Sequence, residues 1–318
     1  MTGRRRTGPA ERRTARAGLG RLADARIGAQ ASRRYRDAAL RYVDYLHACR
    51  FQLPFDWDEM DLSLQDYLEH LWTDGATKGQ AGDTLSGIQH LLRTRRQFPG
   101  SWRLLSVWGR LESPSRAPPM LPLVAAALAG WGLVNNEPSF AAAVLSGFHL
   151  CLRTMEALGL CSPLLTIGAD GRGVVSLPWT KTSARRGARE NVTIDDQYVG
   201  SLLHWAVSLD PAGRVWPHSA KQFHSLFRRG LEELGCSHMR LSPYSLRRGG
   251  ATHEYLTSGD LSLVMIRGRW SSARTARIYI EDGAAVIAEM RVPDSLRRRL
   301  ELFSNQLVSR VTAYARQY

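Results

Sequence analysis

The stretch Ser113-Pro114-Ser115-Arg116-Ala117-Pro118-Pro119 limits what this chain can fold into more than any other. Proline lacks the amide donor and clashes with the preceding helical turn, so three prolines among small residues can neither continue a helix nor sit in a central strand. The chain has to break there, which makes 113–119 a linker between two parts. On the N-terminal side, apolar residues recur at helical spacing. Tyr35, Ala39, Tyr42 and Leu46 form one face that stops near Pro54, and Leu64, Tyr67, Leu68 and Leu71 form a second, with Asp61 or Ser63 as its N-cap and Gly75 as its end. Leu85, Ile88 and Leu92 suggest a third helix, and Trp102, Leu105 and Trp108 a fourth after the Phe98-Pro99-Gly100 turn. Residues 31–112 therefore predict a small all-α bundle.

Beyond the linker, 121–133 and 138–152 predict two buried helices, the first rich in alanine. Three short β-branched runs, 164–167, 174–180 and 191–194, bounded by glycine-rich and basic turns, predict a small antiparallel meander. Helices follow at 198–209 and at 223–234, where Phe223, Phe227, Leu231 and Leu234 share a face. The expected fold is mainly α: an N-terminal helical bundle and an α+β domain over 120–318. Near the end, Leu296, Leu300, Phe303, Leu307, Val311 and Tyr314 form one apolar stripe, which must be buried on its own domain or on a neighbour.

Residues 1–30 are arginine-rich, with Glu11 and Asp24 as the only acids and few large apolar side chains, and predict an arm that is disordered until bound. The whole chain carries a formal charge of +14. That excess implies an acidic partner, and nucleic acid is the first candidate because guanidinium forks match phosphate oxygens. Of the 43 basic residues only Lys78, Lys181 and Lys221 are lysine, so a lysine at a reactive position points to a group able to give up a proton. The four cysteines (Cys49, Cys151, Cys161, Cys236) lack Cys-x-x-Cys spacing and read as reduced thiols of an intracellular protein. His204, His218, His224, His238 and His253 show no metal-ligand spacing, and no phosphate-cradling Gly-x-x-x-x-Gly-Lys motif occurs, so neither metal nor nucleotide cofactor is expected. The apolar runs are too short to span a membrane.

The chemistry-bearing residues gather late in the chain. Tyr244 and the pair Arg247-Arg248 follow the Ser242-Pro243 break near a helix start, where backbone N–H groups favour an anion. Trp270 follows Gly268-Arg269, and Tyr279 lies nine residues further on. Upstream, Arg153 ends an apolar helix with Glu156 three residues later; unpaired burial would be costly, so Arg153 needs a carboxylate or an anion. Together these residues resemble the boxes of the tyrosine recombinases (the phage-integrase family), in wording closest to the eukaryotic mobile-element branch of DIRS and Crypton type. Tyr244 stands where that family has histidine.

The resemblance implies that Arg153 and Arg247 neutralise the phosphate, Glu156 orients Arg153, Trp270 supports the site and Tyr279 is the nucleophile forming a 3′-phosphotyrosyl bond. Lys181, on a β-hairpin turn, protonates the departing 5′-oxygen, and Tyr244 offers a phosphate hydrogen bond but is a poor base. Arg185, Arg186, Arg248 and Arg269 are read as DNA contacts. The bundle becomes the core-binding DNA clamp, and strand exchange implies a tetramer on DNA, commonly linked by a C-terminal helix passed to the next subunit; that favours docking the terminal stripe on a neighbour. A eukaryotic host would place the protein in the nucleus. A catalytically degenerate DNA-binding relative and a type IB topoisomerase-like enzyme are the alternative functions.

Overall fold

A computed structural model describes residues 8–17, 27–94, 97–112, 116–177 and 190–317. The chain divides into two units, Met1–Ser115 and Arg116–Tyr318, so the division falls inside the proline-rich stretch.

In the first unit the described helices are α1 (Pro9–Arg16), α2 (Ala29–Ala48), α3 (Trp57–Thr73), α4 (Lys78–Leu91) and α5 (Pro99–Leu111). Where the sequence suggests an unstructured arm, α1 is helical for a local reason. Pro9 presets the first turn, and the Glu11 carboxylate accepts the Gly8 N–H at 2.9 Å. The bundle core gathers Tyr42 and Leu46 from α2, Leu64 and Leu68 from α3, Leu85 from α4 and Trp108 from α5. Each such side chain contributes roughly 1.5–3 kcal/mol by leaving water. Close packing of α4 on α2 depends on Gly87, where an added Cβ would lie 2.6 Å from the Tyr35 carbonyl oxygen.

Asp61 is not the cap of its own helix. Helix α3 starts earlier because Asp56 Oδ1 accepts the N–H groups of Asp58 (3.0 Å) and Glu59 (2.8 Å). Asp61 is buried within α3 and reaches across to the start of α5, which has no side-chain cap of its own. Its Oδ2 accepts Gly100 N–H at 2.8 Å, and its Oδ1 accepts Ser101 N–H at 2.9 Å and the Ser101 hydroxyl at 2.6 Å. A cap built from a distant residue satisfies the helix end as well as a local one does, and it also ties two helices together.

The second unit contains α6 (Pro122–Val134), α7 (Pro138–His149), α8 (Thr154–Leu158), α9 (Gln197–Leu209), α10 (Ala220–Leu234), α11 (Pro243–Ser258), α12 (Leu261–Gly268), α13 (Ala273–Arg277), α14 (Asp282–Met290) and α15 (Asp294–Ala315). Helices α6 and α7 are apolar almost all round and form its centre. Helices α9 and α11 pack on α7, and α10 and α15 on α6. Strands β1 (Leu165–Ile167), β2 (Gly173–Leu177) and β3 (Glu190–Ile194) make an antiparallel sheet in that order, with Val175 opposite both Leu165 and Val192. Alternation places Val175, Leu177, Val192 and Ile194 in the core.

The terminal stripe packs on its own domain, against the expectation that a neighbour would cover it. Leu300, Leu307, Val311 and Tyr314 of α15 are buried against the unit's core, and the Tyr314 ring stacks on Trp205 at 4.8 Å. Gly130 lets the two helices meet closely, since a Cβ there would fall 1.8 Å from the Phe303 carbonyl oxygen. The apolar, small-residue surface of α6 accepts the stripe within the same chain. Among the described residues, no helix is long and apolar enough to cross a membrane.

Candidate active site

Helix α11 lies directly on the backbone of two other segments, and glycine makes this possible. A Cβ at Gly249 would fall 2.1 Å from the Met120 carbonyl oxygen, and one at Gly250 would fall 1.9 Å from that of Phe148. The close approach brings Arg247 beneath the loop leaving α7. There its Nη1 donates to the Cys151 carbonyl and its Nη2 to the Gly268 carbonyl at 2.6 Å. Arg247 is 1 % exposed. Burial, with the Arg269 and Arg153 charges adding to it, pushes its guanidinium down to about 10, which leaves it charged near neutrality.

Arg153 stands at the N-cap of α8. Its backbone N–H donates to Glu156 Oε2 at 2.9 Å, and its Nη1 donates to Glu156 Oε1. Arg269 Nη2 binds the same carboxylate, and Arg247 Nη1 lies 3.8 Å from it. Burial raises the Glu156 carboxyl, but the Arg269 charge and the Arg153 hydrogen bonds outweigh it and hold the group below its usual range. One acid is thus shared among three guanidiniums. Among the described residues, Arg247 Nε and Arg269 Nη1 are buried and find no hydrogen-bond acceptor.

Arg269 adopts φ +58°, a left-handed conformation that costs most residues about 1–2 kcal/mol. The turn it makes ends α12 and swings Trp270 back over Gly268, where any Cβ would strike the indole at 2.0 Å. The Arg247 guanidinium carbon lies 4.8 Å from the centre of the Trp270 ring and 5.4 Å from that of Tyr279. The two aromatic rings are 4.4 Å apart. Thr252 fixes the tyrosine segment to α11 by donating to the Tyr279 carbonyl (3.3 Å) and accepting the Glu281 N–H (3.2 Å). Finally, the Tyr244 hydroxyl donates to Tyr279 Oη at 2.7 Å. Burial, then the hydrogen bond and charge of Tyr279, push Tyr244 up to about 12, although Arg247 and Arg248 pull the other way.

The fold therefore brings Arg153, Glu156, Tyr244, Arg247, Trp270 and Tyr279 into one cluster. Lys181, Arg185 and Arg186 lie outside the described residues, in the connection between β2 and β3. Arg248, 1 % exposed, pairs with Glu281, and Arg269 pairs with Glu156 and Glu190. Both are turned inward because acids wait for them there. Sequence reasoning missed Glu281 and Glu190, as well as Thr252 and the carbonyls of Cys151 and Gly268. Glu281 carried a signal, being the first acid after a basic run that includes Arg267, Arg269, Arg274 and Arg277; Glu190 carried none.

No protein-family model and no curated protein sequence matches the chain. Among solved structures it is similar to the XerH site-specific recombinase bound to palindromic difH substrate in a post-cleavage complex. That match has a TM-score of 0.55 at 16 % identity, over 81 % of this chain and 79 % of that one. It is also similar to the Tn1549 transposon integrase in complex with transposon right end DNA (TM-score 0.54, 12 % identity, 82 % of this chain and 98 % of that one). The same integrase with circular intermediate DNA gives a TM-score of 0.50 at 12 % identity, over 73 % and 84 % of the two chains. At such identities the likeness is one of fold: a mainly helical architecture with a small antiparallel sheet.

Proposed function

We propose that the chain breaks and rejoins duplex DNA through a 3′-phosphotyrosyl intermediate, as a site-specific recombinase or integrase. The observation that carries this reading is the convergence of Tyr279 with Arg247 and Arg153 around buried guanidinium N–H groups that lack an acceptor. A buried unmatched donor costs about 1–3 kcal/mol, and a phosphate arriving beside the cluster would supply the missing acceptors. The DNA complexes of XerH and of the Tn1549 integrase share this fold, and the +14 charge favours the same partner.

In the proposed reaction, Arg153 and Arg247 neutralise the non-bridging oxygens while the Tyr279 oxygen attacks phosphorus in line. A new O–P bond forms, and the bond from phosphorus to the 5′-oxygen breaks. The leaving oxygen takes a proton from Lys181, the role the family resemblance implies for it. Glu156 holds Arg153 by two hydrogen bonds, and Trp270 backs the Tyr279 ring. Because energy is kept in the phosphotyrosyl bond, the scheme uses neither ATP nor metal. The first unit is proposed as the DNA clamp, and four protomers as the strand-exchanging assembly. The Ser245–Thr252 wording supports a eukaryotic mobile-element origin, and with it a nuclear site of action.

The test is a duplex nicked close to the cleavage position, so that the short leaving strand diffuses away and the adduct accumulates. The wild-type chain should form a covalent protein–DNA band, and Tyr279→Phe should form none while binding duplex normally. Binding without any adduct would mark a DNA-binding relative that has lost the chemistry. An adduct that persists in Tyr279→Phe would place the nucleophile elsewhere.

A further inference from the structure

We propose that Tyr244 is a positioning residue that holds Tyr279 ready to attack by donating its hydroxyl hydrogen to the Tyr279 oxygen, an inference that rests on Tyr279 being the nucleophile. The geometry is direct. The two hydroxyl oxygens are 2.7 Å apart with Tyr244 as donor, and their ring centres are 5.9 Å apart. Tyr244 is the second residue of α11, behind Pro243 and one turn before Arg247, so the element that fixes the arginine also fixes this hydroxyl. Trp270 and the Arg247 guanidinium take up other approaches to the Tyr279 ring. The tyrosine oxygen thus receives a hydrogen bond from one direction and has the Arg247 guanidinium nearby, and a donated hydrogen bond strengthens as its acceptor gains negative charge.

The alternatives for Tyr244 are weaker on chemistry. With its hydroxyl pushed up to about 12, Tyr244 keeps its proton near neutrality and donates it, so it cannot act as the base that removes the proton of Tyr279. That proton leaves to water. The resulting oxyanion attacks phosphorus, the bond to the 5′-oxygen breaks, and the leaving oxygen is protonated separately, so the step balances without a proton passing through Tyr244. Nor is Tyr244 free to serve the phosphate as well, because its single hydrogen is already directed at Tyr279. A hydrogen bond to an ionised group is among the stronger kinds, so its loss should be readable as a rate effect of about 10–100-fold.

Two measurements on full-length protein separate this inference from the reading beneath it. The first needs no DNA: tetranitromethane nitrates phenolate, and peptide mapping reports the rate at Tyr279. Tyr244→Phe should slow nitration there several-fold at fixed pH without lowering the melting temperature, since Tyr244 is 41 % exposed and loses only an oxygen. The second is adduct formation, in which Tyr244→Phe should be about 10–100-fold slower, with its pH–rate profile moved to higher pH and duplex affinity unchanged. The deficit should persist with a 5′-bridging phosphorothiolate, whose sulfur leaves without needing a proton. An unchanged nitration rate, or a deficit that vanishes with the thiolate, overturns the proposal. If wild-type protein forms no adduct yet nitration slows as stated, the hydrogen bond stands and the recombinase reading falls. If adducts form and nitration is unaffected, the recombinase reading stands and Tyr244 has lost its role.

Discussion

Asp61 and Glu156 are both carboxylates held inside the protein, one in each unit, and their surroundings differ in a way that separates structure from chemistry. Asp61 meets two backbone N–H groups and one hydroxyl at the start of a helix, all neutral donors and all satisfied by it. Glu156 sits among three guanidiniums, two of which retain buried N–H groups with no acceptor among the described residues. The first arrangement is closed, because nothing further is needed to balance it. The second is open, carrying more positive charge and more donors than its acids absorb, and an arriving anion would complete it.

The largest expected difference between the two is in the chemical step. Arg153→Ala removes a guanidinium from the open cluster and should slow adduct formation by about 10²–10³-fold, or about 2.7–4 kcal/mol. Asp61→Ala should leave the rate per folded molecule unchanged at saturating DNA. Single-turnover cleavage with both variants decides the matter, and equal losses in the two would erase the distinction.

Stability should show the opposite order. Asp61→Ala orphans three donors at the start of α5 and should cost about 2–4 kcal/mol in denaturant unfolding of the N-terminal unit. Glu156→Gln keeps the shape but leaves three guanidiniums facing one another, so its loss should be recoverable by an added anion. Inorganic sulfate or phosphate should raise its melting temperature more than that of wild type, by about 2–4 °C for each ~1 kcal/mol of binding. The same salt should give Asp61→Ala no extra protection. If it protects both variants alike, the contrast is a general salt effect.

Much of this contrast was legible in the sequence, and the illegible part has a common cause. Helical periodicity located the bundle and the two apolar helices, because a 3.6-residue period is a local property. The family resemblance singled out Arg153, Arg247, Trp270 and Tyr279, which the fold brings into one cluster. What could not be read was which partner a charged residue would choose. Asp61 looked like the cap of its own helix and caps another, and nothing local marked Glu281, Glu156 and Glu190 as the acids that meet Arg248 and Arg269. The terminal stripe was plain to see, but what would cover it was not, because the close approach at Gly130 is a fact about two helices distant in sequence. Pairings over long separations are set by packing, and composition does not encode them locally.

The smallest expected effect is on acid stability, where the open cluster should leave a limb of its own. The Glu156 carboxyl lies below its ordinary value of 4.5 in the folded chain: burial opposes this, but Arg269 and Arg153 prevail. On acidification the unfolded chain therefore takes up this proton first, and stability falls as pH drops below about 4.5 and through the folded value. Asp195, held low chiefly by its hydrogen bonds from Arg267, shares that limb. His149 gives a separate limb at higher pH. Burial holds its imidazole below 6.5, with His253 and Arg267 assisting and the carboxylates of Asp196 and Asp195 opposing, so the unfolded chain again binds the proton first. Its contribution is complete above about 6.5 and declines as pH falls from there to the folded value. Denaturant midpoints measured from pH 7.5 to pH 3 should then show His149→Gln flattening the upper decline and Glu156→Gln shallowing the lower one, with part left to Asp195. A wild-type curve reproduced by Glu156→Gln over the lower range would mean that the three arginines do not stabilise the ionised acid. In that case the buried guanidinium donors would have to be balanced by something other than the acid they surround.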